Sequence, residues 1–211
     1  MKHYGTNFLL AANQPNALES VNIDKLLVDR SRLSFYEHYL NNVSFDTFNS
    51  QTSEPNQFIE AAQGLLKSKN NKNSYTMVVF DIDQFRNVNE FYGYPAGNEL
   101  LYYIGVKLAS KLEASNLFCR LCDDNYAVFL ENYREIDIAL LVIHLTEEIS
   151  NYYPELQLKL SFGICRAEQS DVNITSLCSR AYYAKSTIKG KLQLLANYDE
   201  VIINQNLYNI N

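Results

Sequence analysis

The spacing of hydrophobic residues changes along the chain and divides it into three parts. From Asn22 to Leu40 apolar residues recur at helical spacing, between two polar and irregular stretches. We predict that this segment is a dimerisation or signalling helix outside the main core, within an N-terminal extension over residues 1–45. We predict the main domain over residues 46–200 and a C-terminal tail over residues 201–211.

The main domain opens on a helix and a buried strand. Ser53 and Pro55 supply an N-cap and a first-turn proline for a helix whose apolar face includes Phe58. A near-continuous run of β-branched and aromatic residues from Tyr75 to Ile82 predicts a central strand buried on both faces.

The remaining elements follow from the period of the apolar residues and from the turn residues between them. In chain order, these patterns predict helices at Phe85–Tyr92 and from just after Gly97 to about Glu113, a hairpin of strands Leu117–Leu121 and Tyr126–Glu131, a helix at Arg134–Asn151, a strand at Leu156–Arg166, a helix at Asn173–Lys189 and a strand at Leu192–Tyr198. The order β-α-α-β-β-α-β-α-β predicts an α/β fold of the α+β type. Its ferredoxin-like core is one central sheet of about five strands covered by helices.

Composition and charge exclude several classes of function. The chain has 211 residues, is 47% hydrophobic and carries a net charge of −6. Non-specific nucleic-acid binding draws its free energy from Lys and Arg neutralising phosphates, so this acidic chain argues against DNA or RNA as its main partner. No stretch approaches the ~18 apolar residues of a membrane span, and from residues 1–5 we expect no signal peptide. We expect a cytoplasmic location.

Cys119-x-x-Cys122 is the cysteine pattern that raises metal or redox chemistry. A zinc site would need a second pair, and Cys165 and Cys178 are not spaced as one. A thioredoxin-like motif opens a helix, whereas this one ends a strand. We therefore expect neither function.

Two carboxylates are candidate metal ligands. Asp81 ends the predicted central strand where the chain turns into a helix, a usual place for an anionic ligand and its cation. Asp124 lies at the hairpin tip and comes close to Asp81 if the hairpin strands flank the central one. Two carboxylates with substrate phosphates suit octahedral Mg²⁺. The alternative is that Asp81 and Asp83 only cap the following helix.

Three sequence blocks together resemble the GGDEF (diguanylate cyclase) family. They are Asp81-Ile-Asp83-x-Phe85-Arg86-x-x-Asn89, then Tyr92-Gly93-Tyr94-x-x-Gly97-Asn98, then Arg120-Leu-Cys122-Asp123-Asp124-Asn125-Tyr126. The first two follow the family patterns DIDxFKxIN and GHxxGD, and the third stands where R-x-GGDEF is found. Similarity at Ser161–Ile164 and Ala181–Gly190 extends the resemblance, which runs from about Asp46 to Asp199. It implies a nucleotidyl-cyclase-like fold.

The resemblance also implies a site for a guanine nucleotide and a divalent metal. It assigns the metal to Asp81, the Ile82 carbonyl and Asp124, guanine to Asn89 and Asn98, and phosphates to Arg86 and to Lys185 or Lys189. The expected ligands are therefore GTP and Mg²⁺. The family's reaction joins two GTP molecules into cyclic di-GMP.

The signature departs from the family at the residues nearest the nucleotide. Cys122 and Asp123 replace two glycines that permit positive φ and close backbone approach. Asp123 also repels phosphate, and Asn125 replaces an acid and cannot act as an anionic partner. With side chains at both glycine positions, we expect a longer or differently turned hairpin tip that carries Asp124 away. The motif from Cys122 to Tyr126 is thus interpreted as vestigial, without an assigned catalytic residue.

Three functions stay open. The first is a binding module that holds a guanine nucleotide without turnover and signals its occupancy to a partner. The second is an active diguanylate cyclase, supported by the retained carboxylates Asp81 and Asp124. The third is a dimerisation or interaction domain with a vestigial pocket. We rank binding or interaction in cyclic di-GMP signalling above catalysis, with a homodimer or a separate phosphodiesterase or signalling protein as the partner.

Overall fold

A computed structural model describes residues 54–68 and 73–208. The predicted helix at Asn22–Leu40 and the domain boundary at residue 46 lie outside these residues, so both stay predictions. Within the described ranges, no helix combines the length and apolar content that crossing a membrane requires.

Helices and strands alternate through the described chain. They are α1 (Pro55–Ser68), β1 (Tyr75–Asp83), α2 (Phe85–Tyr92), α3 (Tyr94–Lys111), β2 (Leu117–Cys122), β3 (Asn125–Glu131), α4 (Glu135–Ser150), a 3₁₀ turn (Pro154–Leu156), β4 (Lys159–Arg166), α5 (Ile174–Ile188), β5 (Leu195–Asn197) and α6 (Tyr198–Tyr208).

These strands form a sheet of order β2-β3-β1-β4-β5. The central strand β1 is antiparallel to both β3 and β4, and β2 is antiparallel to β3. β5 is added parallel to β4 at the edge. The first four strands have the pairing of a ferredoxin-like unit, so the predicted fold class is confirmed.

Helices cover both faces of the sheet. Because successive residues of β1 point to opposite faces, they contribute to two separate core clusters. Val78 and Phe80 belong to the core cluster beneath α3 and α4. Met77 and Val79 belong to the cluster beneath α1 and α5. The same alternation directs the Asp81 side chain to the face covered by α5, where it meets Lys185.

The start of β4 differs from the prediction. Leu156 ends the 3₁₀ turn that begins at Pro154, and Gln157 then has a left-handed backbone with φ 47°. The strand begins only at Lys159. The apparent alternation at Leu156 arises because its side chain, although outside the strand, still packs against the core.

The end of the domain and the start of α3 also differ. The predicted strand Leu192–Tyr198 contains only three strand residues, and Tyr198 instead begins α6, which occupies most of the predicted tail. α3 starts at Tyr94 rather than after Gly97, because a proline fits the first turn of a helix.

Candidate functional site

A cleft of about 580 Å³ opens beside the end of β1. Its walls come from α2, α3, the β2–β3 hairpin and the residue that ends α5. This volume lies within the range of roughly 300–1,000 Å³ that small-molecule sites occupy.

Most of the side chains that the sequence predicted as ligands share this cleft. Arg86, Asn89, Asn98, Asp124 and Lys189 all line it, together with Ile82. Residues far apart in the sequence, from the first motif to the last helix, therefore meet in one place.

A glycine fixes Asn89 in the cleft wall. A Cβ at Gly97 would lie 2.0 Å from the Asn89 side-chain oxygen, so only glycine permits this contact between α2 and α3. The Asn89 carbonyl also accepts a hydrogen bond from the backbone N–H of Gly93, which ends α2. The Asn89 side chain therefore packs against Gly97 and lines the cleft.

Arg86 lies at the rim of the same cleft. Its Nε is 2.6 Å from the Glu90 carboxylate one turn along α2, and its side chain is 86% exposed. An exposed ion pair of this kind contributes little to stability. The guanidinium can therefore exchange Glu90 for a phosphate at little cost.

Asp81 and Lys185 lie beneath the cleft rather than in its wall. The Lys185 Nζ donates to Asp81 Oδ2 over 2.8 Å, and both side chains are only 2% exposed. The Lys189 Nζ donates to the same oxygen, although its own side chain is 50% exposed. Both lysines proposed for the last helix therefore reach one carboxylate.

A second glycine brings this ion pair together. A Cβ at Gly163 would lie 2.0 Å from the Ala181 carbonyl oxygen and 2.4 Å from the backbone nitrogen of Lys185. Glycine in β4 thus lets α5 approach the sheet closely. A strand glycine opposite the small residues Ala181 and Ala184 was the sequence signal for this contact.

The buried ammonium of Lys185 has two further partners. It donates to Asn125 Oδ1 over 2.6 Å and lies 4.4 Å from the ring centroid of Tyr182. Asn125, which replaces an acidic residue of the signature, therefore serves as a neutral acceptor for this lysine.

The hairpin tip is shorter than expected. Cys122 pairs with Asn125, so Asp123 and Asp124 form a two-residue turn. Asp123 has the left-handed backbone, φ 47°, that glycine adopts most easily, and its carbonyl accepts a hydrogen bond from Arg120 Nε. Asp124 Oδ2 accepts a hydrogen bond of 3.1 Å from the Ile82 N–H. The expectation that the tip carries Asp124 away from β1 is therefore wrong.

Two other inferences from the sequence are corrected: the loss of close approach at Cys122, and the alternative that Asp81 and Asp83 only cap α2. Cys122 is exposed and is not among the residues that line the cleft, so its side chain does not obstruct it. α2 begins after Gln84 without a side-chain capping hydrogen bond. Asp83 instead accepts a hydrogen bond of 2.9 Å from Ser161 Oγ, so neither Asp81 nor Asp83 caps that helix.

The charge of Asp81 affects two neighbouring groups of the site. Burial raises the pKa of the Asp124 carboxyl, and the charge of Asp81 raises it further, more than hydrogen bonds from backbone N–H groups lower it. For Lys189, burial lowers the pKa, but the hydrogen bond and charge of Asp81 outweigh it and the net pKa is raised.

Two lysines compete with a divalent cation for Asp81. One oxygen of Asp81 is shared by two ammonium groups, and Asn125 supplies no charge. The other oxygen, Oδ1, is buried with no hydrogen-bond partner among the described residues and is the position at Asp81 still open to a cation.

Tyr126 and Cys119 serve the core. The Tyr126 hydroxyl donates to the Leu101 carbonyl over 2.7 Å, and its ring stacks on Phe80 with centroids 5.1 Å apart. Burial raises the pKa of the Cys119 thiol to about 12. Because Cys122 is exposed, the two thiols of the Cys-x-x-Cys pattern have opposite environments.

Some polar side chains of the cleft lining were not predicted as ligands. Gln84, Tyr94 and Arg120 all face the cleft. Arg120 precedes the signature in the resemblance, and a cation beside an acidic turn was the signal available for it.

The sheet and the cleft define a nucleotidyl-cyclase-like domain of ferredoxin-like topology. Residues 55–191 match the family model described as "Diguanylate cyclase, GGDEF domain". The match covers more than half of the chain, which therefore belongs to the GGDEF family.

Curated relatives are much longer than the matched region. The chain is 25% identical over 120 residues to the bifunctional diguanylate cyclase/cyclic di-GMP phosphodiesterase MucR of Pseudomonas aeruginosa, covering 54% of this chain and 18% of MucR. It is 24% identical over 124 residues to the Bacillus subtilis protein YhcK, covering 58% and 32%. The chain thus spans less than half the length of these relatives.

Solved structures show the same fold. The GGDEF domain of DgcB from Caulobacter crescentus, in complex with c-di-GMP, aligns with a TM-score of 0.58 at 14% identity, covering 72% of this chain and 97% of that domain. The diguanylate cyclase SiaD of Pseudomonas aeruginosa, in complex with its activator SiaC, aligns with a TM-score of 0.57 at 17% identity, covering 90% and 76%.

Proposed function

We propose that this domain binds a guanine nucleotide in the cleft without converting it, and acts as a regulatory module in cyclic di-GMP signalling. One observation carries the proposal: Asn89, Asn98, Arg86 and Lys189 line a single cleft, while Asp81 beneath it is held by lysines. Membership of the GGDEF family supports a guanine nucleotide as the ligand. The names of MucR and of the DgcB complex support cyclic di-GMP signalling as the context.

The cleft offers separate groups for the base and for the phosphates. The amides of Asn89 and Asn98 can each donate and accept hydrogen bonds at the edge of a guanine. Arg86 and Lys189 are cations with exposed side chains that can contact phosphate oxygens. Each hydrogen bond from an asparagine amide to the base is neutral and contributes about 1 kcal/mol to binding. We therefore expect modest affinity.

Among the described residues, the cleft lacks the charged groups that conversion of GTP to cyclic di-GMP would need. Joining two GTP molecules requires each 3′-hydroxyl to attack the α-phosphate of the other GTP and release pyrophosphate, a step that metal ions commonly promote by stabilising the developing charge. Asp81 is already paired with two lysines, and Asn125 provides no negative charge. The exposed carboxylate of Asp123 at the cleft rim repels the phosphates as well.

An interaction function is the second candidate, and a feature of α4 favours it. Ile136, Leu140 and Ile143 are 56%, 44% and 45% exposed. Their spacing places them along one side of the helix as an apolar stripe. A homodimer or another signalling protein, such as a phosphodiesterase, is the partner we propose for a regulatory role. An active cyclase ranks third, on the retention of Asp81 and Asp124.

The test combines a binding and a product assay on the full chain. We expect calorimetry to show GTP binding and chromatography to show no cyclic di-GMP with Mg²⁺ or Mn²⁺. Asn89→Ala should weaken binding about fivefold, from the loss of ~1 kcal/mol. The control is Phe91→Ala on the same helix, whose side chain is exposed and does not line the cleft.

Two outcomes would contradict the proposal. Cyclic di-GMP that forms with the parent chain and disappears in Asp124→Ala would establish an active cyclase. Failure to bind GTP at all would favour the interaction function.

A further inference from the structure

Lys185 of α5 and Lys189, which follows the last residue of that helix, converge on one oxygen of Asp81. Their ammonium groups both donate to Asp81 Oδ2, Lys185 over 2.8 Å. Two positive charges therefore meet at a single carboxylate oxygen.

The two lysines differ in their exposure to solvent and in their other contacts. Lys185 is 1% exposed, and its ammonium also contacts Asn125 and the Tyr182 ring, so its position is fixed. Lys189 is half-exposed and lines the cleft. One lysine therefore neutralises Asp81 from below, while the other presents its charge to the cleft.

The charges of Asp81, Asp124, Lys185 and Lys189 balance without any ligand, and Asp83 is a further carboxylate that acts on Lys189. Ionised Asp81 and Asp124 contribute −2, and Lys185 and Lys189 contribute +2, so the four groups sum to zero. Magnesium sites depend on oxygen ligands with excess negative charge. A cation at the remaining oxygen of Asp81 would have two ammonium groups as its neighbours.

We propose that Lys185 and Lys189 take the place of the divalent cation, so that the cleft binds guanine nucleotide without metal. This inference rests on the proposed nucleotide binding and specifies its regulation: occupancy follows nucleotide concentration and not that of Mg²⁺. Lys189 and Arg86 are the cations that meet the phosphates. Lys185 is a positioning residue, because it acts through Asp81 and Asn125.

The first experiment measures the metal alone. Mn²⁺ is titrated into the full chain without nucleotide and followed by electron paramagnetic resonance. We expect the parent chain to leave Mn²⁺ free up to millimolar concentration. We expect the double variant Asn125→Glu with Lys189→Gln, which changes the local charge from zero to −2, to bind it. Saturable binding by the parent, or no binding by a double variant that circular dichroism shows to be folded, would overturn the inference.

The second experiment measures GTP affinity in EDTA and in excess Mg²⁺. We expect the parent's dissociation constants in the two buffers to agree within about twofold. In EDTA, Lys189→Gln should weaken binding by about tenfold or more, because a charge-assisted contact is lost. Lys191→Gln is the matched control, since Lys191 is exposed and does not line the cleft, and it should change the affinity by less than about twofold.

The outcomes separate this inference from the proposed function. Binding in Mg²⁺ that is lost in EDTA would overturn the inference and leave the proposed function intact. No binding in either buffer would overturn the proposed function, and the inference about metal-free binding with it. Lys189 is half-exposed, so its variant should fold, and the thermal melt of Lys189→Gln verifies this.

Discussion

Asp123 is the residue whose replacement should most improve nucleotide binding. It stands at the second glycine position of the signature, lines the cleft rim and has a left-handed backbone, φ 47°. Two changes separate its effects. Asp123→Asn removes the charge but keeps a residue that tolerates this conformation, whereas Asp123→Gly also removes the Cβ.

The expected magnitude follows from charge and exposure. Asp123 is exposed, so the dielectric constant of water applies, and two unit charges 4 Å apart then interact by ~1 kcal/mol. GTP carries several phosphate charges, so either variant should bind it about five- to tenfold more tightly. Glycine relieves a left-handed strain of about 1 kcal/mol, but it raises the entropy of the unfolded chain by a similar amount. Stability should therefore change little.

Calorimetric titration with GTP compares these variants with the parent chain and with Cys122→Gly. The Cys122 side chain is exposed and does not line the cleft, so we expect its variant to match the parent. A gain confined to Asp123→Gly would assign the effect to the backbone. Equal affinities of the parent and both Asp123 variants would refute the reasoning, because neither charge nor backbone at the tip would then limit binding.

Three further predictions concern stability and reactivity. Gly163→Ala should lower the free energy of unfolding in urea by about 1–3 kcal/mol through overpacking, whereas Gly64→Ala, with open space around it, should raise it by up to about 1 kcal/mol. A thiol reagent should label exposed Cys122 well before Cys119, because burial raises the pKa of the Cys119 thiol to about 12; equal labelling rates would contradict this. The hydrogen bond from Arg134 lowers the pKa of Asp137. The stability that this ion pair gives the folded protein is therefore present above the ordinary carboxyl pKa and is lost as pH falls. Asp137→Asn should therefore lower the melting temperature at neutral pH and not in strong acid, and an equal decrease at both would contradict it.

The sheet was predictable where a strand is long and its burial is simple. Tyr75 to Ile82 is apolar at nearly every position because both faces of β1 are covered. The hairpin was predictable from turn residues between two apolar runs. β5 was overextended because three residues of strand carry too little pattern, and Leu156 imitated a strand residue because it packs on the core from a 3₁₀ turn.

The site was predictable in its membership but not in its internal contacts. The resemblance named Asp81, Asp124 and both lysines. It could not reveal that Lys185 is buried against Asp81, because that contact joins residues 104 apart and depends on how closely α5 approaches Gly163. Nor could it reveal that Asp123 keeps the left-handed turn, since a side chain disfavours that backbone without forbidding it.

The central claim is that the cleft holds a guanine nucleotide and leaves it unchanged. Equilibrium titration of the full chain with GTP, followed by chromatography of the ligand recovered from the same sample, tests both halves of that claim. The account predicts saturable binding of one GTP per chain and recovery of intact GTP. No binding at millimolar GTP, or recovery of cyclic di-GMP, would contradict it.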